Sequence, residues 1–290
     1  MPAASYASPR VVCSVAELRA AVAAARRAGR SVGLVPTMGA LHAGHLSLVD
    51  ACRRECGQTV VSVFVNPTQF APGEDFERYP RPFEADLQLL AEREVDLIFA
   101  PSTLDMYPPG NATFVDVGPV AEPLEGRFRP GHFRGVATVV LKLFNQATPD
   151  LAYFGRKDYQ QSLVVRRMTA DLNLPIEIRV CPTIREADGL ALSSRNVYLS
   201  LKERRQALTL SRSLRLAKEL AAAGERDAAI ILRRMHELFA AEPDIRLDYI
   251  ALADPDTLAD LTTIDAEAVA LIAARVGATR LIDNETLSAK

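Results

Sequence analysis

Cysteine is scarce in this chain: Cys13, Cys52, Cys56 and Cys181 are the four in 290 residues, and no two form a Cys-x-x-Cys pair. That is too few for a disulfide framework at this length, and it fits a reducing cytosol. Cys52 and Cys56 share a helix face at i, i+4, which permits metal binding, but ordinary buried thiols are the preferred reading. An excess of charge of one sign is also lacking. The 34 basic and 36 acidic residues leave a formal net charge of −2. Nothing global therefore suits nucleic acid or a membrane surface, and any basic site must be local. No long, continuously apolar run and no basic-then-apolar leader is found, which disfavours membrane spanning and export and makes the cytoplasm the expected location. Two common nucleotide signatures are missing as well. Without Gly-x-x-x-x-Gly-Lys-Ser/Thr or Gly-x-Gly-x-x-Gly, P-loop kinases and dinucleotide-dependent oxidoreductases are disfavoured.

What is present is the composition of a protein with a large core, 49% apolar against 24% charged residues. The length exceeds what one core usually organises, so a larger and a smaller domain are expected. Ser14 and Glu17 read as a capping box opening a helix that Gly29 stops. A strand over 32–35, a helix over 45–55 and a β-branched strand over 59–65 follow, the last patterned for burial on both faces of a parallel sheet. Helix 83–94 then leads to strand 95–99, helix 136–146 to strand 151–154, and helix 157–171 to strand 176–180. This alternation predicts an α/β fold with a Rossmann-like doubly wound parallel sheet in residues 1–187. Beyond it, helices over 202–223 and 226–241 precede strands over 247–253 and 268–274, predicting a smaller α+β C-terminal domain over 188–290. The boundary is placed in the turn Glu186-Ala187-Asp188-Gly189.

In open parallel sheets ligands bind beyond the carboxyl ends of the strands, so polar clusters directly after strands draw attention. The segment Pro36-Thr37-Met38-Gly39-Ala40-Leu41-His42-Ala43-Gly44-His45 joins the strand over 32–35 to its helix. Its glycines permit close backbone approach, and the new helix offers N–H groups and a positive dipole end to an anion. Two of only four histidines fall here, three residues apart. Both can donate to phosphate oxygens; the competing reading is a helix cap plus a satisfied core histidine. Zinc is disfavoured because the His-Glu-x-x-His spacing is missing.

Asn66-Pro67-Thr68-Gln69-Phe70 offers two amides suited to a neutral polar ligand, or a simple Asn-capped turn. Gly155-Arg156-Lys157-Asp158-Tyr159-Gln160-Gln161 brings a lysine to the sheet's carboxyl edge. Leu192-Ser193-Ser194-Arg195-Asn196 presents two hydroxyls and a guanidinium at the expected domain junction, a combination able to close over a polyphosphate. The basic, glycine-bounded stretch 126–135 reads either as a mobile anion-contacting loop or as a solvated one.

Taken in this order and spacing, these clusters resemble the pantothenate synthetase family, the pantoate–β-alanine ligases of the His-x-Gly-His nucleotidyltransferase superfamily. The resemblance rests on Met38 through His45, Val63 through Pro67 with Gln69-Phe70, Pro130 through Val136, Phe154-Gly155 with Lys157-Asp158, and Asp188 through Asn196. Thr68 stands where methionine is expected, and Arg156 occupies a variable position. The resemblance implies two steps. The carboxylate of pantoate attacks the α-phosphorus of ATP to give pantoyl adenylate and pyrophosphate, and the amine of β-alanine then displaces AMP.

It also implies roles for residues. Met38, Gly39, Ala40, Leu41, His42, Ala43, Gly44 and His45 would line the ATP site, with Gly155, Arg156, Lys157, Asp158, Ile184, Leu192, Ser193, Ser194 and Arg195. His42 and His45 would contact the phosphates, His45 as proton donor. Lys157, Ser193, Ser194 and Arg195 would hold the triphosphate, the two histidines, Lys157 and Arg195 forming the catalytic set. Gln69 and Gln161 would bind pantoate, Gln69 also lying near β-alanine, with Asn66 and Met38 lining the pocket. Mg²⁺ would bridge phosphate oxygens; no dedicated protein ligand for it stands out, Asp86 and Asp158 being the carboxylates considered. The second domain would close over the site, and a homodimer is expected. Two rival readings share much of the pattern: an adenylyltransferase acting on a phosphorylated cofactor precursor, and a nucleotide-binding sensor without turnover.

Overall fold

The structure is a computed structural model that describes residues 9–288; the start of the chain, on which the reading against export depends, lies partly outside them. In chain order the strands are β1 (Arg10–Val12), β2 (Val32–Thr37), β3 (Gln58–Val63), β4 (Leu97–Phe99), β5 (Leu151–Gly155), β6 (Glu177–Cys181), β7 (Ile245–Ala253), β8 (Glu267–Val276) and β9 (Thr279–Ser288). The α-helices are α1 (Val15–Arg27), α2 (Ala43–Glu55), α3 (Phe83–Ala91), α4 (Thr103–Met106), α5 (Glu125–Phe128), α6 (His132–Ala147), α7 (Tyr159–Asp171), α8 (Leu201–Ala222) and α9 (Ala228–Ala240). They divide into two compact units. The first holds the chain up to Ala121, Glu125–Arg156 and Gln161–Pro182; the second holds Glu122–Leu124, Lys157–Gln160 and the chain from Thr183.

The first unit is built on a six-stranded parallel sheet in the order β1-β4-β3-β2-β5-β6. Alternating strand residues feed two cores, as the pleat demands. Leu34, Val60, Leu97, Phe99, Ala152 and Phe154 face one core with residues of α1, α6 and α7. Val35, Val61, Ile98 and Tyr153 face the other with residues of α2 and α3. The predicted capping box is present, Ser14 Oγ accepting from Glu17 N and Glu17 Oε2 from Ser14 N. The thiols of Cys52 and Cys56 pack on Gly33: a Cβ there would lie 2.2 and 2.6 Å from the two sulfurs. They act as packing groups between α2 and β2, Cys56 Sγ also meeting Tyr153 OH at 3.5 Å.

The strand order reverses between β2 and β5, the crevice where doubly wound sheets bind ligands. The β2–β5 ladder consists of Gly33↔Leu151 and Leu34↔Ala152, ending before the carboxyl ends, whereas β2 pairs with β3 from Val32 to Thr37. The segments following β2 and β5 are those singled out from sequence, Met38–His45 and Gly155–Arg156.

The second unit packs α8 and α9 on an antiparallel sheet β7-β8-β9. Its core joins Leu210, Leu214, Ile231 and Met235 to Leu252, Ala270, Ile272 and Leu281. Strand β9 is an element that the sequence reading does not include, as is the edge strand β1. Helix α6 starts one turn earlier than the periodicity suggests, because Gly131, at φ 82°, ends the preceding turn and lets His132 begin the helix. No helix among the described residues is long and apolar enough to cross a membrane.

Candidate active site

The turn after β2 is built by backbone hydrogen bonds to two side chains. Thr37 Oγ1 donates to Ser62 O at 2.7 Å and accepts from Gly39 N at 3.2 Å. Gly39 and Ala40 both adopt left-handed conformations, φ 76° and 50°. The first suits glycine; for alanine it is strained and must be held. The carboxylate of Asp86, on α3, holds it by accepting from Ala40 N at 2.9 Å and Leu41 N at 2.7 Å. Burial raises the Asp86 pKa, opposed by those two N–H donors. Both oxygens of Asp86 thus serve the turn. Asp158 lies 3.7 Å from Lys157 Nζ. Among the described residues no group of three or more His, Cys, Asp or Glu side chains could hold a metal ion.

His42 caps α2, its Nδ1 accepting from Gly44 N at 3.1 Å. The cap reading weighed for this residue is thus the one seen, and with Nδ1 accepting, the proton of a neutral ring sits on Nε2. His45 lies one turn on, with ring centroids 4.1 Å apart and planes tilted by 33°. Two imidazoles thus stack at the amino end of a 13-residue helix, where N–H groups and dipole favour an anion.

On the neighbouring strand, β3 ends in a single 3₁₀ turn, Pro67–Gln69. Asn66 is 1% exposed, and its amide is fully engaged within the protein. Oδ1 accepts from Thr68 N, Thr68 Oγ1 and Tyr107 OH at 3.3, 2.9 and 2.9 Å. Nδ2 donates to Gln69 Oε1 at 3.0 Å and Gly135 O at 3.2 Å. Asn66 thereby braces Gln69, whose Nε2 reaches Met38 Sδ at 3.3 Å. Met38, Asn66 and Gln69 are brought together as the sequence suggested, Asn66 as the support of the other two.

The stretch 126–135 is not the mobile loop considered from sequence. Arg127 lies in α5, and His132 to Gly135 form the start of α6. Arg129 is locked to Glu74 by Nε···Oε1 and Nη2···Oε2 contacts of 2.7 Å each. Gly135 is required by packing: a Cβ would sit 2.3 Å from Thr68 O and 2.7 Å from Gln69 Cα. From sequence Gly135 reads as the end of a loop before a helix starting at Val136; its place inside α6 and the backbone it makes room for were not visible. Nor were the roles of Asp86, Glu74 and Tyr107.

Gly155 closes β5, and Arg156 N donates to Cys181 O at 2.8 Å. Gln161 lies half-buried in the first turn of α7. The remaining expected ligands belong to the second unit. Lys157 O accepts from Asn284 Nδ2 at 2.8 Å, and Tyr159 OH donates to Pro255 O at 2.9 Å. Leu192 N donates to Ile184 O at 3.0 Å, joining these two residues across a tight turn with Gly189 at φ 95°. That turn is tied down by ion pairs of Arg204 with Glu186 and Asp188, both at 2.7 Å. Ser193 caps the 3₁₀ turn Ser194–Tyr198, its Oγ accepting from Arg195 N at 3.3 Å. Asn196 Nδ2 fixes that turn through Glu186 Oε1 and Ala191 O, at 3.0 and 3.1 Å.

Comparison with known proteins gives a consistent result. Residues 10–286 match the family model described as pantoate-beta-alanine ligase. The pantothenate synthetase of Roseiflexus castenholzii is 57% identical over 280 residues, 97% of this chain and 100% of the relative; that of Moorella thermoacetica is 56% identical over 274 residues, 94% of this chain and 97% of the relative. The crystal structure of pantothenate synthetase from Thermus thermophilus superposes with a TM-score of 0.91 at 53% identity, covering 95% of this chain and 98% of that one. A pantoate-beta-alanine ligase from Francisella tularensis, crystallised with β,γ-ATP and β-alanine, superposes with a TM-score of 0.80 at 33% identity over 96% of this chain and 97% of that one. With its parallel sheet, its paired imidazoles at the switch point and a match that spans nearly its whole length, the chain belongs to the pantoate–β-alanine ligase family.

Proposed function

We propose that this protein condenses pantoate with β-alanine at the expense of ATP, giving pantothenate, AMP and pyrophosphate. The observation that carries the reading is the stacked His42–His45 pair on the amino end of α2, within the same unit as the Gln69 amide. An anion-binding helix end and a polar amide on adjacent strands suit a triphosphate and a hydroxy acid.

In the first step a pantoate carboxylate oxygen bonds to the α-phosphorus, the bond from that phosphorus to the bridging oxygen breaks, and pyrophosphate leaves. Two anions must meet and charge moves onto the leaving group, so cationic and N–H donors lower the barrier. His42, donating from Nε2, and His45 contact the phosphates, and His45 is the proton donor. Lys157, Ser193, Ser194 and Arg195 hold the triphosphate. Met38–His45, Gly155, Arg156, Asp158, Ile184 and Leu192 line the nucleotide. Mg²⁺ arrives as part of the nucleotide substrate, on phosphate oxygens. In the second step the β-alanine nitrogen attacks the acyl carbon, AMP departs, and the amine loses a proton. Gln69 and Gln161 hold pantoate for both steps. Keeping the acyl adenylate beside the amine replaces an encounter with a hydrolysis-prone species by an intramolecular step, worth up to about 7–11 kcal/mol in well-oriented systems. The expected homodimer and cytoplasmic setting belong to the same proposal, the former checked by sedimentation of the full chain.

The test is direct. Purified protein given MgATP and pantoate should release pyrophosphate, and added β-alanine should then yield AMP and pantothenate. Pyrophosphate release that needs a phosphorylated cofactor precursor in place of pantoate would support the adenylyltransferase, and nucleotide binding with no turnover would support the sensor.

A further inference from the structure

Three residues of the first unit that the proposed chemistry leaves unused, His132, Arg129 and Glu74, form a hydrogen-bonded chain ending on Gln69. His132 Nδ1 lies 2.8 Å from the main-chain carbonyl of Gln69. A carbonyl only accepts, so Nδ1 carries the proton. The other ring nitrogen, Nε2, then accepts from Arg129 Nη1 at 3.1 Å. Arg129 Nη2 reaches the same Gln69 carbonyl at 3.3 Å. The rest of the guanidinium fork is filled by the Glu74 carboxylate, both contacts at 2.7 Å. Desolvation, aided by the positive charge of Arg129, drives the His132 pKa down to about 4, so the ring is neutral at physiological pH and this tautomer is kept.

The carbonyl so held belongs to the residue whose side chain bonds Asn66 at Oε1 and Met38 at Nε2. Gly135, three residues beyond His132, lets α6 approach the same peptide. Rotation of the Gln69 peptide would carry the side-chain amide with it, and a fraction of an ångström matters for a group that orients substrate. Sharing a carbonyl between an imidazole and a guanidinium, with a carboxylate behind, is more than turn closure needs; Phe70 N already closes the turn onto Pro67 O at 3.3 Å.

We infer that His132 and Arg129, braced by Glu74, are positioning residues that clamp the Gln69 main chain and thereby set the pantoate-binding amide. The inference rests on the assignment of Gln69 to pantoate. It is tested by titrating pantoate calorimetrically into wild type, Gln69→Ala, His132→Ala, His132→Asn and Glu74→Gln, with the KM for ATP measured alongside. Losing one such bond should weaken pantoate binding about tenfold in His132→Ala and leave the KM for ATP unchanged. His132→Asn places an amide N–H near the former Nδ1 and should recover most of the loss; Glu74→Gln should show a smaller loss of the same kind. Wild-type pantoate affinity in His132→Ala beside a weakened Gln69→Ala would overturn the clamp, as would an Asn variant no better than Ala. Should His132→Ala not fold, the Asn and Gln variants decide, a KM for ATP that rises with the pantoate constant counting against. If Gln69→Ala itself binds pantoate normally, the pantoate assignment fails instead. The clamp is then judged by ¹⁵N spectra of the imidazole, which should show a protonated Nδ1 and an unprotonated Nε2; the opposite tautomer refutes it.

Discussion

The backbone N–H of Ala40 points at Asp86 Oδ2, 2.9 Å away across 46 residues of sequence, and the other carboxylate oxygen takes the N–H of Leu41. The left-handed Ala40 that precedes His42 is stable only with this support. Asp86→Asn should therefore cost about 1–3 kcal/mol, because one acceptor becomes an NH₂ group facing an N–H. Urea denaturation would measure the loss. Pyrophosphate release should fall with it even at temperatures where the variant is folded; a folded Asp86→Asn with full activity would show that the turn does not need the carboxylate.

A Cβ at Gly135 has nowhere to go, its nearest neighbour being Thr68 O at 2.3 Å. Gly135→Ala should lose about 1–3 kcal/mol through overpacking, despite alanine's better helix propensity. Because the displaced backbone belongs to Thr68 and Gln69, pantoate affinity should drop more than ATP affinity. Thermal melts and paired titrations separate the two effects.

His45, Lys157 and Arg195 share one assigned task, stabilising charge on the triphosphate as it reacts. Alanine at any of them should slow adenylation by about 10²–10³-fold, or about 3–4 kcal/mol. Rapid-quench measurement of pyrophosphate release without β-alanine isolates that step. Release near the wild-type rate in all three variants would remove them from the phosphate site.

The imidazole of His132 has a folded pKa of about 4 against an ordinary value of 6.5. A neutral folded ring cannot take the proton that the unfolded chain accepts, so stability from this residue is present above pH 6.5 and is lost as pH falls from there towards 4. The loss is on the order of 3 kcal/mol at most. The ring is faced by Arg129, Glu125 and Glu74, and the Arg129 charge works in the same direction as burial while the two carboxylates oppose it. Denaturation curves taken from neutral pH down towards the folded pKa should show this slope in wild type, and a shallower one in His132→Asn. Equal slopes would place the acid sensitivity elsewhere.

Much of the site was legible before any coordinates. Two histidines three residues apart, after a buried strand and before an amphipathic helix, were placed correctly at the start of α2 because helix ends and strand ends leave local patterns. The structure adds that His42 spends Nδ1 on capping the helix, the cap being one of the two readings weighed for it. Asn66 was legible as a polar residue after a strand, but its burial and its bonds to Tyr107 and Gly135 depend on elements 41 and 69 residues away. The stretch 126–135 reads as a loop from sequence for a related reason. Its basic residues suggest solvent, whereas the distant Glu74 and Gln69 fix Arg129 in a half-buried position.

By itself the amino-acid sequence determined the alternation of strands and helices, the parallel sheet, and the histidine-bearing turn after β2, since periodicity, caps and glycine placement act within a few residues. Tertiary structure alone decided what holds that turn and its neighbour. Asp86 on Ala40, His132 on Gln69 and Gly135 against Thr68 are choices among partners scattered along the chain, made by which faces of the helices the sheet brings together.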